Sequence, residues 1–289
     1  MSRPSLEFVE LMLTSACNLS CRGCTTFSDL QHTGYVPWPQ AKVWLESWIH
    51  RLDIKAVGII GGEPLMNPHL KQYIQGIREL LPDAQIRIVT NGLLLGKHFD
   101  IVDLLDLVGN AVLKISYHVD DAQLDNTIDR VMQFRTWAPI LEHGINRWVS
   151  PSGFRFQVAR PEKFLKTFLN DYADMMPHDN DPTESFELCV QKRCPMLLDG
   201  KLWKCGTLAL TPKILSRMGN PNIESWMPYI DPGIDSGCSE KELISFVNNF
   251  GKPHRRCAQC PTIKDTNSVF DHKSTVSFKG RKANQKIKQ

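Results

Sequence analysis

Cys17-Asn18-Leu19-Ser20-Cys21-Arg22-Gly23-Cys24, a C-x3-C-x2-C run, directly follows the β-like segment Leu6 to Thr14. It supplies three thiolates and no fourth. Four-thiolate ferredoxin and zinc sites fill every coordination position, whereas three thiolates on an iron–sulfur cubane leave one iron open to an outside ligand. Thiolates are soft ligands suited to such clusters. The expected chemistry lies at the open iron, on the loop that leaves the first strand.

The next informative stretch is Val57-Gly58-Ile59-Ile60-Gly61-Gly62-Glu63-Pro64, a buried strand running into two glycines that let backbone approach a ligand closely. The cysteine run and this GGEP segment, in this order, resemble the radical S-adenosylmethionine (radical SAM) superfamily. The resemblance implies that Cys17, Cys21 and Cys24 hold a [4Fe-4S] cluster whose fourth iron chelates the amino and carboxylate groups of SAM. It further implies that Gly61, Gly62 and Glu63 help bind the amino end of SAM. Reductive cleavage of SAM would then give methionine and a 5′-deoxyadenosyl radical that abstracts a substrate hydrogen. The chain departs from the family at Gly23, where an aromatic residue usually packs on the adenine, so no adenine contact is assigned.

Strand and helix patterns alternate outward from these motifs, which is the mark of a parallel α/β architecture. Helices are expected over about Trp38 to Leu52, Pro68 to Leu81, Ile101 to Leu107 and Asp121 to Arg135, each with apolar residues at helical spacing. Strands are expected to end at Gly61, over Gln85 to Val89, Val112 to Ser116 and Phe154 to Val158, and Pro161 is expected to open a helix carrying Phe164, Leu165, Phe168 and Leu169. Five βα units agree with the partial (β/α) barrel of the resembled family. Active sites in βα barrels lie at the C-terminal ends of the strands. Those ends carry Cys17 to Cys24, Gly61 to Glu63, Thr90 to Gly92 and Ser116 to His118.

The pattern breaks in the turn-rich stretch from Asp171 to Ser185. The expected domains are a barrel core over 1–175, a small metal-binding module over 176–262 and a disordered basic tail over 263–289. In the module, Asp199-Gly200 favours a two-residue type I′ hairpin turn. Leu198 then pairs with Lys201, and counting outward puts Cys194 opposite Cys205, close enough to share a metal. Cys257-Ala-Gln-Cys260 supplies a second pair. This layout resembles the auxiliary-cluster extension called a twitch domain, or SPASM when it holds two clusters, whose cysteine, gap and G-x4-C are matched by Cys189, Gly200 and Cys205. The resemblance favours Cys189 and the hairpin register favours Cys194, so both stay open as ligands beside Cys205, Cys257 and Cys260. One auxiliary [4Fe-4S] cluster is expected, with structural zinc as the alternative. Cys238 reads as an ordinary thiol.

Candidate substrate residues are Tyr117 and His118 after the fourth strand and Asp29 and His32 on the cysteine loop, with no catalytic role fixed for any of them. By resemblance, Asn91 lies near SAM and Ser116 near its ribose. His254-Arg255-Arg256, beside the last cysteine pair, is a patch that could dock an acidic electron donor such as flavodoxin or ferredoxin, bind an anionic substrate or simply face solvent. Trp44 and Trp48 read as core.

The 289 residues are 42% hydrophobic, enough for a sizeable core, and the net charge of +3 names no partner. Nine cysteines in two groups argue for a reducing, cytoplasmic setting and metal ligation over a disulfide framework. Glu7 and Glu10 interrupt any lipoprotein-type leader before Cys17. No apolar run reaches the roughly 18 residues of a membrane span. The expected activity is radical SAM chemistry on a small molecule, with net oxidation through the auxiliary cluster as one outcome. The alternatives are a radical SAM enzyme that modifies ribosomally made peptides and a noncatalytic, metal-stabilised protein binding nucleic acid through its basic tail.

Overall fold

Val9 and Leu11, Val57 and Ile59, Ile86 and Ile88, Leu113 and Ile115 are buried at a spacing of two, so each pair lines the same face of its strand. The computed structural model describes residues 3–30, 33–140, 146–161, 163–265, 269–271 and 274–276. Within them these pairs belong to β1 (Val9–Met12), β2 (Ala56–Ile60), β3 (Gln85–Thr90) and β4 (Ala111–Ser116), which run parallel side by side. Helices α1 (Trp38–Ile49), α2 (Leu70–Leu80), α3 (Phe99–Val108) and α4 (Ala122–Gln133) follow the strands in turn and cover that apolar face in one core. Asp121 accepts from the backbone N–H groups of Gln123 and Leu124 and so starts α4 as an N-cap.

The sheet continues past β4 through β5 (Ala138–Pro139), β6 (Asn146–Val149) and β7 (Arg155–Ala159), with β7 parallel to β4 and the other two antiparallel at the edge. Its opposite edge comes from the far end of the chain. There β8 (Met196–Leu198) lies parallel to β1 and forms a hairpin with β9 (Lys201–Trp203). The order among the described strands is β9-β8-β1-β2-β3-β4-β7-β6-β5. A mixed, mostly parallel sheet with α1 to α4 on one face is the α/β, partial-barrel architecture expected.

The hairpin register is the expected one, Leu198 opposite Lys201, and Asp199 and Gly200 take φ of 53° and 76° as a type I′ turn demands. The outward count to Cys194 and Cys205 fails, because the ladder ends at Met196 opposite Trp203. The carbonyl of Pro195 accepts instead from Glu10 N on β1, and Cys205 turns away as the N-cap residue of α6 (Gly206–Met218). On its other face β8 packs with α6 in a second core that includes Met12, Met196, Leu198, Leu210 and Trp226.

Two further expectations are corrected. Lys163–Leu165 is a strand paired antiparallel with Val269–Asp271, and not the helix expected after Pro161; long-range pairing overrides the helical spacing of Phe164, Leu165, Phe168 and Leu169. Part of the stretch expected to be a disordered tail is also ordered, since Ser274–Val276 pairs with Leu19–Cys21. Lys279, Arg281, Lys282, Lys286 and Lys288, the basic residues of that tail, lie outside the described residues. No helix among the described residues is long and apolar enough to cross a membrane.

Candidate active site

Backbone hydrogen bonds fix the cysteine loop to the end of β2. Gly62 N donates to Thr14 O at 2.8 Å and Glu63 N to Ala16 O at 2.8 Å. A Cβ on Gly62 would stand 2.2 Å from that same Ala16 oxygen, so only glycine permits this approach. Beyond it, Leu19–Cys21 is held by pairing with Ser274–Val276, with Ser274 opposite Cys21. Cys17 and Cys21 are buried together with Leu19, and Cys24, Leu93, Val119 and Phe164 pack against them.

Burial pushes the Cys17 thiol up to about 12, against the donated N–H of Leu19 at 3.4 Å. Burial, then Asp29, also raises Cys24, whose sulfur contacts Thr26 Oγ1 at 3.2 Å. Thiols this reluctant to ionise in the bare protein become thiolates only when a metal's charge replaces the proton. Two such thiols, Cys17 and Cys24, packed on one loop with the buried Cys21 therefore fit a resident cluster. No three His, Cys, Asp or Glu side chains among the described residues converge on a single-ion position. Gly23, where the resembled family has an aromatic, takes φ of 75°, a conformation that a bulky side chain resists.

Glu63 is fully buried, and its carboxylate is engaged inside the protein. It accepts from Leu65 N at 3.0 Å, Thr90 Oγ1 at 2.6 Å and Asn91 N at 2.8 Å, tying the end of β2 to the end of β3. Burial raises its carboxyl above the ordinary value, opposed by those three donors. Asn91 Nδ2 in turn donates to Asn18 Oδ1 at 2.7 Å and stands 3.9 Å from Cys17 Sγ, so the Thr90-Asn91-Gly92 turn reaches the cysteine loop. Ser116 ends β4, half-buried, at the same rim.

The candidate substrate residues are less concentrated. Tyr117 OH donates to Asp125 Oδ1 at 2.7 Å and its ring lies under Arg160. His118 packs against Phe164, which itself touches the cysteine cluster, so of the two it stands nearer the thiols. Asp29 accepts from Tyr172 OH, and His32 lies outside the described residues.

A second group of thiols gathers across the molecule's C-terminal part. Cys189 caps the C-terminus of α5 (Pro182–Leu188), Cys205 caps α6, Cys257 lies within the 3-10 turn Arg255–Gln259 and Cys260 caps its end. Ser185 Oγ and Asn180 Nδ2 both donate to Cys260 O, at 2.9 and 3.1 Å, and so anchor that turn to α5. The four cysteines line one cavity, which extends to Lys204, Leu165 and Thr25, the neighbour of Cys24. Burial raises Cys260 well above the usual thiol range, and Cys205, Cys189 and Cys257 add to it. Cys194 is elsewhere, hydrogen-bonded to Glu10. Cys238 accepts from Arg51 at 3.5 Å against the main core. Of the basic patch, Arg256 is ion-paired to Asp231 at 2.8 Å and His254 accepts from Arg256 N, which leaves Arg255 as its exposed cation.

Residues 11–143 match the Radical SAM superfamily. Among curated proteins, the chain is 24% identical over 137 residues to a GTP 3',8-cyclase of Clostridium perfringens, covering 44% of this chain and 41% of that one. It is 31% identical over 105 residues to a GTP 3',8-cyclase of Staphylococcus carnosus, covering 34% and 30%. The chain spans less than half the length of the curated relatives it matches. Among solved structures, BtrN in complex with AdoMet and 2-DOIA is 14% identical with a TM-score of 0.47, over 91% of this chain and 95% of that one. SuiB of Streptococcus suis bound to S-adenosylmethionine is 21% identical with a TM-score of 0.37, over 46% and 31%.

Proposed function

The chain carries a radical SAM superfamily domain over residues 11–143, and from that premise we propose that it is an enzyme that cleaves S-adenosylmethionine reductively at a [4Fe-4S] cluster held by Cys17, Cys21 and Cys24. When bound, that pair of cofactors supplies a 5′-deoxyadenosyl radical for hydrogen abstraction. One observation carries the reading: the buried Cys17 and Cys21 and the half-buried Cys24 packed against them on a single loop, seated on Gly62 where the parallel strands end. Gly61 and Gly62 bring backbone up to the loop. Glu63, engaged with Leu65, Thr90 and Asn91, acts by holding the ends of β2 and β3 in place. Asn91 and Ser116 form the rim that would face SAM.

The reading extends to an auxiliary [4Fe-4S] cluster on Cys189, Cys205, Cys257 and Cys260. Their common cavity, reaching Thr25 beside Cys24, supports it. A cluster held by these four thiols would supply an acceptor for an electron from a substrate radical, or an anchor for the substrate. The substrate is a small molecule, the setting is the reducing cytoplasm, and the reductant is a flavodoxin- or ferredoxin-like donor.

The test is 5′-deoxyadenosine release after anaerobic reconstitution with dithionite and SAM, with iron counted in wild type and in a Cys17→Ala/Cys21→Ala/Cys24→Ala variant. Release by wild type alone, with about four irons left in the variant, is expected. Equal release by both proteins would overturn the assignment of the cysteine loop.

A further inference from the structure

The face of the sheet turned away from α1 to α4 carries an unusual row. Register places Glu10, Gly58, Arg87, Val112 and Arg155 level with one another on successive strands, with Lys114 on the same face one step nearer the strand ends. On the β8–β1 side this face is closed by the core around α6. On the β3–β4–β7 side it is open among the described residues: Arg87 and Arg155 are exposed and Lys114 is half-buried. None of these three cations takes part in an ion pair among the described residues. Glu10, the acid of the row, is hydrogen-bonded to Cys194.

Arg87 is held in a set orientation. Its Nε donates to Gln85 Oε1 at 2.6 Å and its guanidinium lies 5.3 Å from the centre of the Phe8 ring. Those contacts engage one edge and one face and leave the two-pronged end of the fork, the part that matches a carboxylate or phosphate, without a described partner. Neighbouring groups strip part of its water and, with Arg155 and Arg147, hold it below arginine's ordinary value. Like charges gathered on one sheet face repel. An anion between them would turn that repulsion into attraction.

We propose that this face binds the anionic end of the substrate, a phosphate or carboxylate gripped by Arg87 and Arg155, with Lys114 lying along the molecule toward the strand ends. This rests on the reading above for where the reacting end lies. Arg87 is three residues from Thr90, so about 10 Å separates the anionic group from the rim beside the cysteine loop. The substrate is therefore an elongated small molecule with its charge at the end remote from the reacting carbon.

The experiment is calorimetric titration of the reconstituted protein with inorganic pyrophosphate and, separately, succinate. Wild type is compared with Arg87→Gln, Arg155→Gln, Arg87→Lys and a control, Arg217→Gln on α6, all checked by circular dichroism. One of the two anions should bind wild type, about tenfold more weakly in Arg87→Gln and Arg155→Gln, and unchanged in the control. Arg87→Lys should fall between, since it keeps the charge and loses the fork. Preference for pyrophosphate marks a phosphate substrate and preference for succinate a carboxylate one. No binding of either anion by wild type, or equal weakening in the control, overturns the proposal. Anion binding that depends on Arg87 in a protein releasing no 5′-deoxyadenosine would remove the radical reading and leave the anion site standing. Release with anion affinity equal in all variants would do the reverse.

Discussion

Trp48 on α1 donates its indole N–H to the carbonyl of Gly200 at 2.9 Å, across 152 positions of sequence. The bond fastens the tip of the C-terminal hairpin to the core of the barrel half. Trp48→Phe would leave that carbonyl unpaired and a gap beside it, and is expected to cost about 2–4 kcal/mol of unfolding free energy. Urea denaturation measures it, with Val43→Ala on the exposed side of the same helix expected to change stability by less than about 0.5 kcal/mol. Equal effects of the two substitutions would mean that the hairpin tip contributes nothing through Trp48.

Gly62→Ala tests the seat of the cysteine loop. The new methyl would meet backbone, the Ala16 oxygen at 2.2 Å, and backbone cannot swing aside as a side-chain end can. The loop must shift, at a cost of about 1–3 kcal/mol. The variant is expected to lose about four irons after reconstitution while keeping those of the second site. Gly96→Ala, whose methyl would meet only the Thr127 hydroxyl at 3.1 Å, should keep them all.

Much of this architecture is local and was therefore legible. Buried residues at spacing two gave the parallel strands, Asp199-Gly200 gave the hairpin with its register, and the cysteine spacing gave a loop whose thiols the structure does bury together. What was hidden is long-range. Nothing local says that β8 will dock beside β1, that Lys163–Leu165 will choose a strand partner near residue 270, or that the Cys194 side chain will meet Glu10. Helix α6 was masked by Pro212 in its interior, a residue that ordinarily argues against helix. Helix α7 (Glu240–Asn249) was missed although its signal is present, since Ser239 and Glu242 form a capping box. The Glu63 motif was visible, but not that its carboxylate would turn inward onto Thr90 and Asn91, because sequence order does not reveal which groups a buried acid will find.

Glu10 gives a pH signature with a defined sign. Burial lifts its carboxyl from 4.5 to about 7, against a hydrogen bond with Cys194, so the fold keeps a proton that the unfolded chain releases near 4.5. Its contribution is therefore fully present below about pH 4.5, is lost as pH rises toward 7, and is constant beyond, a span on the order of 3 kcal/mol. Glu10→Gln cannot titrate. From pH 5 to pH 8 in urea denaturation, the glutamine variant should gain about 2–3 kcal/mol relative to wild type. A difference between the two proteins that does not change with pH would show that Glu10 is charged in the fold throughout.

Cys189 and Cys194 are the two thiols that sequence spacing left in competition, and their surroundings predict the winner. A cluster ligand must be a thiolate. At Cys194 burial pushes the thiol up to about 12, and the Glu10 carboxyl beside it adds a negative neighbour that opposes ionisation further. At Cys189 burial also raises the thiol, with Cys257 adding to it, but Gln191 N donates to the sulfur at 3.3 Å and Lys192 and Lys204 favour the charged form. Cys189 also lines the cavity shared with Cys205, Cys257 and Cys260, whereas Cys194 sits on the seam between β8 and β1. In the Cys17→Ala/Cys21→Ala/Cys24→Ala background, adding Cys189→Ser should remove the remaining iron, about four atoms per chain, and adding Cys194→Ser should leave it. Loss on Cys194→Ser with retention on Cys189→Ser would reverse the assignment. Zinc in place of iron, lost by the same Cys189 change, would keep the ligand and replace the cluster with a structural ion.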